Sequence, residues 1–128
     1  MSVLGITVAR VFTPTTVERA TAELARELRA QGHTVFVDAP VTGRDGPRFA
    51  VIDADTRCAY DVIEAAPITD AAIDRYGAAH AANHRVCVVA PLHELSPTRL
   101  AVRDHVDTVR AYQEVAPGCV GLHFEALP

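Results

Sequence analysis

The residues best equipped for chemistry are four acids, Asp38, Asp45, Asp61 and Glu64. Carboxylates gathered at one sheet edge bind a hard divalent cation, which can activate water or steady a phosphate. The stretches Arg48–Asp53 and Arg57–Ala65 alternate apolar and polar residues around Ala54-Asp55-Thr56, a pattern that predicts a β-hairpin. Such a hairpin sets Asp53 near Arg57, Phe49 near Asp61 and Asp45 near Glu64, with Asp38 at the same edge. Strand parity works against a shared site, because Asp61 and Glu64 then point to opposite faces. The plainer reading makes Asp38 and Asp45 loop acids and Asp61 a satisfied edge residue. A competing local structure is one helical turn over Asp53–Ala59, leaving only Asp61–Ala65 as strand. The expected cofactor is none, or Mg²⁺ if the acidic cluster is active.

Other candidates are sparser. Arg44 and Arg48 flank a Gly-rich loop and could hold a phosphate or carboxylate by bidentate contacts. His80 and His84 stand at i,i+4 on a predicted helix, the spacing of two imidazoles on one metal, with His93-Glu94 as the nearest third ligand. The bland alternatives are a core histidine at His80 and a helix-dipole partner at His84. Cys58, Cys87 and Cys119 are widely spaced and odd in number, which gives neither a disulfide framework nor a zinc pattern. A reducing cytoplasm is the expected home.

These residues sit in a chain of 128 residues that is 49 % hydrophobic and 22 % charged, which fits one globular α/β domain over residues 1–128. No run of about 18 apolar residues offers a membrane span. All twelve basic residues are Arg. High-GC codon usage accounts for that, but whatever its origin it removes Schiff-base chemistry and the lysine of a phosphate-binding P-loop. A net charge of −4 provides no global field for nucleic acid or anionic lipid.

The elements that must position the candidates read as β-α-β-β-β-α-β-α-β. Val3–Phe12 alternates as a strand. Thr15-Thr16-Val17-Glu18 is a capping box opening a helix whose inward stripe includes Val17, Leu24 and Leu28, closed by Gly32. His33–Asp38 is a strand, Pro40–Pro47 a polar loop, and the hairpin follows. Thr69 or Asp70 caps a helix to about Asn83, with Ile73 and Tyr76 inward. Arg85–Ala90 is apolar enough to be a central strand. Ser96-Pro97 opens a third helix, with Leu100, Val102, Val106, Val109 and Tyr112 inward, ended by Ala116-Pro117-Gly118. Cys119–Phe124 is the last strand and a plausible sheet edge, through which the chain is expected to dimerise. The fold expected is a three-layer sandwich with a five- or six-stranded mixed sheet and three helices.

The αβββαβ run from Thr15 to Pro91 resembles the core of the restriction-endonuclease-like, or PD-(D/E)XK, superfamily. There an acid opens the middle strand of the meander and the next strand carries Glu-x-Lys. Here Tyr60-Asp61-Val62-Ile63-Glu64-Ala65-Ala66 offers Glu64, but Ala66 stands at the lysine position, and Pro47-Arg48-Phe49-Ala50 has only Asp45 nearby. The resemblance implies a catalytically degenerate domain that acts by binding, in DNA metabolism or with a protein partner. Val8-Ala9-Arg10-Val11-Phe12-Thr13-Pro14, Gly32-His33-Thr34-Val35-Phe36 and Tyr76-Gly77-Ala78-Ala79 look like parts of nucleoside 2-deoxyribosyltransferase-like proteins. That second resemblance implies a small nucleoside- or nucleotide-handling enzyme of deoxyribosyltransferase-like or flavodoxin-like architecture, using Asp61 or Asp74. Arg75 stands at the nucleophile's position, so Asp74 is the residue that could serve. A paired hairpin at 48–64 favours the first resemblance; a helical turn in an all-parallel sheet favours the second.

Overall fold

The computed structural model describes residues 15–123, so the expected strand Val3–Phe12 lies outside the described residues. Helix α1 (Thr16–Ala30) forms as its capping box predicts. The Thr15 hydroxyl accepts from the Glu18 N–H at 3.1 Å, and Glu18 reaches back to the Thr15 N–H at 3.3 Å. Ala20, Leu24, Ala25 and Leu28 form its buried stripe, while Glu23 and Arg26 pair on its polar face. Gly32, with φ +91°, ends the run.

Strands β1 (Val35–Pro40), β2 (Arg48–Asp53) and β3 (Cys58–Val62) form an antiparallel meander. The hairpin is therefore present and the helical turn over Asp53–Ala59 is not. Its register differs by one residue from the expected one: Asp53 faces Cys58, not Arg57, and Val51 faces Tyr60. The reason is that the turn takes four residues, the last of which, Arg57, adopts φ 52°. β3 also stops at Val62, leaving Glu64 beyond it.

Helix α2 (Asp70–Ala81) is capped by the Thr69 hydroxyl, which accepts from the Ala72 N–H at 3.2 Å. It carries the chain to β4 (Arg85–Pro91), parallel to β3. A short 3₁₀ turn (Leu92–Glu94) leads into helix α3 (Leu95–Val102), then β5 (Thr108–Ala116), parallel to β4, and β6 (Cys119–His123), antiparallel to β5. The third helix is thus half its expected length. Val109 and Tyr112 belong to a strand, and Leu100 is exposed. No Gly or Pro separates Val102 from Thr108, so the break carries no sequence punctuation. The His105 and Val106 N–H groups both bond the Val102 carbonyl there. Ser96 is not the cap either: Glu94 occupies that position.

The six strands run in the order β1-β2-β3-β4-β5-β6 in one mixed sheet. Helix α1 covers one face, against Val35, Val51, Val62, Val89 and Tyr112. Helices α2 and α3 cover the other, against Ile52, Ala59, Val86, Val88 and Val109. The three-layer α/β architecture is as expected. Side-chain parity breaks at Asp38, a non-glycine residue with φ 51° inside β1. Before it Val35 faces α1; beyond it Ala39 and its partner Phe49 pack on the α2 side. The sheet curls at this point. Among the described residues, no helix is long and apolar enough to cross a membrane.

Candidate functional site

Asp61 is the one predicted acid that the fold buries. It lies near the carboxyl end of β3, opposite Val88 of β4, on the face covered by α2. Its Oδ2 accepts from the Tyr76 hydroxyl at 2.7 Å and from Arg75 Nη2 at 3.0 Å. Helix α2 supplies both donors from adjacent positions. The Tyr76 ring is fully buried and tilted against Phe49, at a centroid distance of 6.3 Å, and Arg75 comes in from the partly exposed side. Burial, then the Asp61 charge at its hydroxyl, pushes the Tyr76 pKa far up, so Tyr76 is a donor at any physiological pH. Two charge-assisted bonds on one oxygen make Asp61 a satisfied carboxylate, not a nucleophile waiting for substrate.

The other candidates are scattered around it. Glu64 is exposed in the segment after β3. Its charge adds to burial in raising the hydroxyl of Tyr112, which faces α1 and donates to the Ile63 carbonyl at 2.8 Å. Asp38 and Asp45 are exposed on β1 and in the loop before β2. No three of Asp38, Asp45, Asp61 and Glu64 come within ligand-sharing distance, so these residues do not fit a Mg²⁺ site. Arg48 donates to the Asp38 carbonyl at 2.6 Å, which ties down the left-handed residue in β1 and is a structural task. Arg44 is exposed in the same loop as Asp45. Asp74 is exposed on α2, one position from the Arg75 that holds Asp61.

The two histidines sit in different surroundings. His80 is exposed, not part of the inward stripe, and its Nε2 lies 3.0 Å from Asp107 Oδ2. His84 follows the helix end; burial, then the nearby Arg57 charge, lowers its pKa. Burial pushes the Cys87 thiol up to about 12, and raises Cys58 as well, so neither is a reactive thiolate.

A depression of about 410 Å³ opens at the carboxyl ends of β4 and β5, lined by Thr16, Pro91, His93, Tyr112 and Gln113. β4 and its parallel pairing with β5 end there beside the N-terminus of α1, the usual kind of location for a ligand on an open α/β sheet. Helical spacing predicts Tyr112 on the third helix, whereas β5 places it beside this depression. No family model, no curated protein and no solved structure matches the chain. The Arg75–Asp61–Tyr76 arrangement was legible only in part. Tyr76 is an inward helix position, but its link to an acid fifteen residues earlier needs the packing of α2 on β3.

Proposed function

We propose that the chain is a catalytically degenerate, restriction-endonuclease-like domain that acts by binding, as a component of a DNA-handling or other multiprotein assembly. The carrying observation is the run α1-β1-β2-β3-α2-β4, an antiparallel meander followed by a parallel crossover. This is the αβββαβ order of that superfamily's core, and the paired hairpin is the feature that separates this reading from a deoxyribosyltransferase-like one. The loss of catalysis is supported by Ala66 at the lysine position, the absence of Lys from the chain, and the capture of Asp61 by Tyr76 and Arg75. A net charge of −4 weighs toward a protein partner and against strong free-standing DNA binding. Self-association through the edge of β6 and a cytoplasmic setting belong to the same reading.

Incubation of the purified chain with supercoiled DNA and Mg²⁺ or Mn²⁺ tests it directly. We expect no nicking above the buffer control. Cleavage that Glu64→Ala abolishes would overturn the degenerate reading. Release of free base from nucleosides, lost in Asp74→Ala, would replace it with the transferase reading. Light scattering at high concentration should give a dimer mass, and a monomer would remove self-association from the proposal.

A further inference from the structure

At the other end of the β2–β3 hairpin lies a second buried acid in a different state. Asp53 closes β2 and is fully buried. Its Oδ1 accepts from the backbone N–H groups of Asp55 at 3.0 Å and Thr56 at 3.3 Å, so this oxygen shapes the turn. Its Oδ2 is equally buried and has no hydrogen-bond partner. That oxygen lies 3.6 Å from His33 Nδ1, which is 3.9 Å from Asp55 Oδ2. All three atoms fall within 4.8 Å of one another, and no other such group occurs among the described residues.

The backbone holds this geometry from three sides. Gly32 ends α1 and delivers His33 into the approach to β1. The pairing of Val35 with Asp53, extended by the Ala54 N–H to Thr34 carbonyl bond at 2.9 Å, brings His33 alongside Asp55. The Thr34 N–H donates to Asp55 Oδ2 at 2.5 Å and fixes that carboxylate.

A buried carboxylate oxygen without a donor is costly unless a cation shares it. The imidazole at 3.6 Å is too far to be a hydrogen-bond donor. One imidazole nitrogen with two carboxylate oxygens is a donor set for a borderline divalent ion, with Zn²⁺ foremost. Bonds of about 2.0–2.2 Å from a tetrahedral ion place neighbouring ligand atoms about 3.3–3.6 Å apart. The two edges that share His33, at 3.6 and 3.9 Å, are within about half an ångström of that spacing, and the carboxylate–carboxylate edge lies within 4.8 Å. Mg²⁺ fits less well, since it prefers an octahedron of oxygens at shorter spacing. We propose that His33, Asp53 and Asp55 form a three-ligand Zn²⁺-class site. Its fourth position opens to water on the side where Asp55 is exposed and His33 partly so. The proposal is independent of the nuclease-like reading, which concerns the other end of the hairpin.

The test is equilibrium dialysis of the chelator-stripped chain against ZnCl₂ near neutral pH, with bound metal counted, repeated with Co²⁺ to read coordination from its visible absorption. We expect one ion per chain and a four-coordinate cobalt spectrum. Asp53→Asn keeps an oxygen for the turn and should weaken binding about a hundredfold or more, with His33→Gln doing the same. Asp61→Asn should leave binding unchanged. If Asp53→Asn does not fold by circular dichroism, His33→Gln, at a partly exposed position, carries the test alone. Binding no better than background, or binding that survives both substitutions, would overturn the site.

Discussion

Asp61 and Asp53 are two buried aspartates in neighbouring strands, and the fold treats them in opposite ways. Asp61 has one oxygen filled by two side-chain donors, Tyr76 and Arg75, that arrive together on α2. Asp53 spends one oxygen on the turn that follows it, and its other oxygen meets only a distant imidazole and a second carboxylate. Burial is therefore a poor guide to role. A buried acid whose donors are complete is part of the scaffold, however well it matches a catalytic pattern. A buried acid with an orphan oxygen leaves a cost that a ligand can relieve. Asp61, a candidate acid from the sequence, belongs to the first class, while the second class lies where no motif pointed.

The comparison breaks most visibly at the Asp61 end. Asp61→Ala removes two charge-assisted bonds and strands a fully buried tyrosine hydroxyl, and should cost about 3 kcal/mol in urea unfolding. Tyr76→Phe should cost about 2 kcal/mol by losing the hydroxyl alone. The double variant should cost clearly less than the two combined, because both remove the same bond. Additive losses would mean that Asp61 and Tyr76 are stabilised separately, and the satisfied-carboxylate account of this end would fall.

The same substitution type should behave differently at the other end. In chelator-treated protein, Asp53→Asn replaces a buried carboxylate whose Oδ2 lacks a hydrogen-bond donor while retaining an acceptor for the Asp55 and Thr56 N–H groups. Stability should stay level or rise by up to about 1 kcal/mol. With zinc added, the sign should reverse, since only the native chain gains from binding. A loss of stability in the metal-free variant would show that His33 already compensates Asp53, and the contrast between the two ends would narrow to one of degree.

Much of this scaffold could be read before any coordinates. The capping boundary at Thr15–Glu18, the Thr69 cap and the apolar β4 are local signals, carried by neighbouring residues whose chemistry admits few alternatives. The hairpin was legible as alternation, but its register was not, because nothing in Ala54-Asp55-Thr56-Arg57 announces that Arg57 turns left-handed. That single residue decides what faces Asp53. The shortened third helix escaped for the opposite reason: Val102, Val106 and Val109 keep helical spacing across a real break, and β5 forms because β4 and β6 offer it backbone partners on both sides. His33, Asp53 and Asp55 escaped for a third reason, since neither of these features brings them together. Only the β1–β2 pairing brings a residue just past a helix cap beside a turn some twenty positions later.

Asp107 extends the comparison to a carboxylate that is satisfied but half exposed. It accepts from the Val86 N–H at 2.8 Å, and His80 Nε2 lies 3.0 Å away. Burial acts to raise its carboxyl, and the Val86 N–H, the His80 imidazole and the Arg85 charge outweigh it, so the folded-state pKa lies below the ordinary value. A depressed carboxyl stabilises the fold above its unfolded pKa, near 3.9, and that contribution drains away as the pH falls through the folded value. Solvent screening keeps the increment small, at about 0.5 kcal/mol for Asp107→Asn near neutral pH, and smaller again in high salt. The difference from the native chain should vanish only once the pH lies well below the depressed folded value, where both states are protonated. A larger loss that persists in acid would trace to the Val86 bond as a neutral backbone anchor, and would move Asp107 toward Asp61 in kind: donors matter there more than charge.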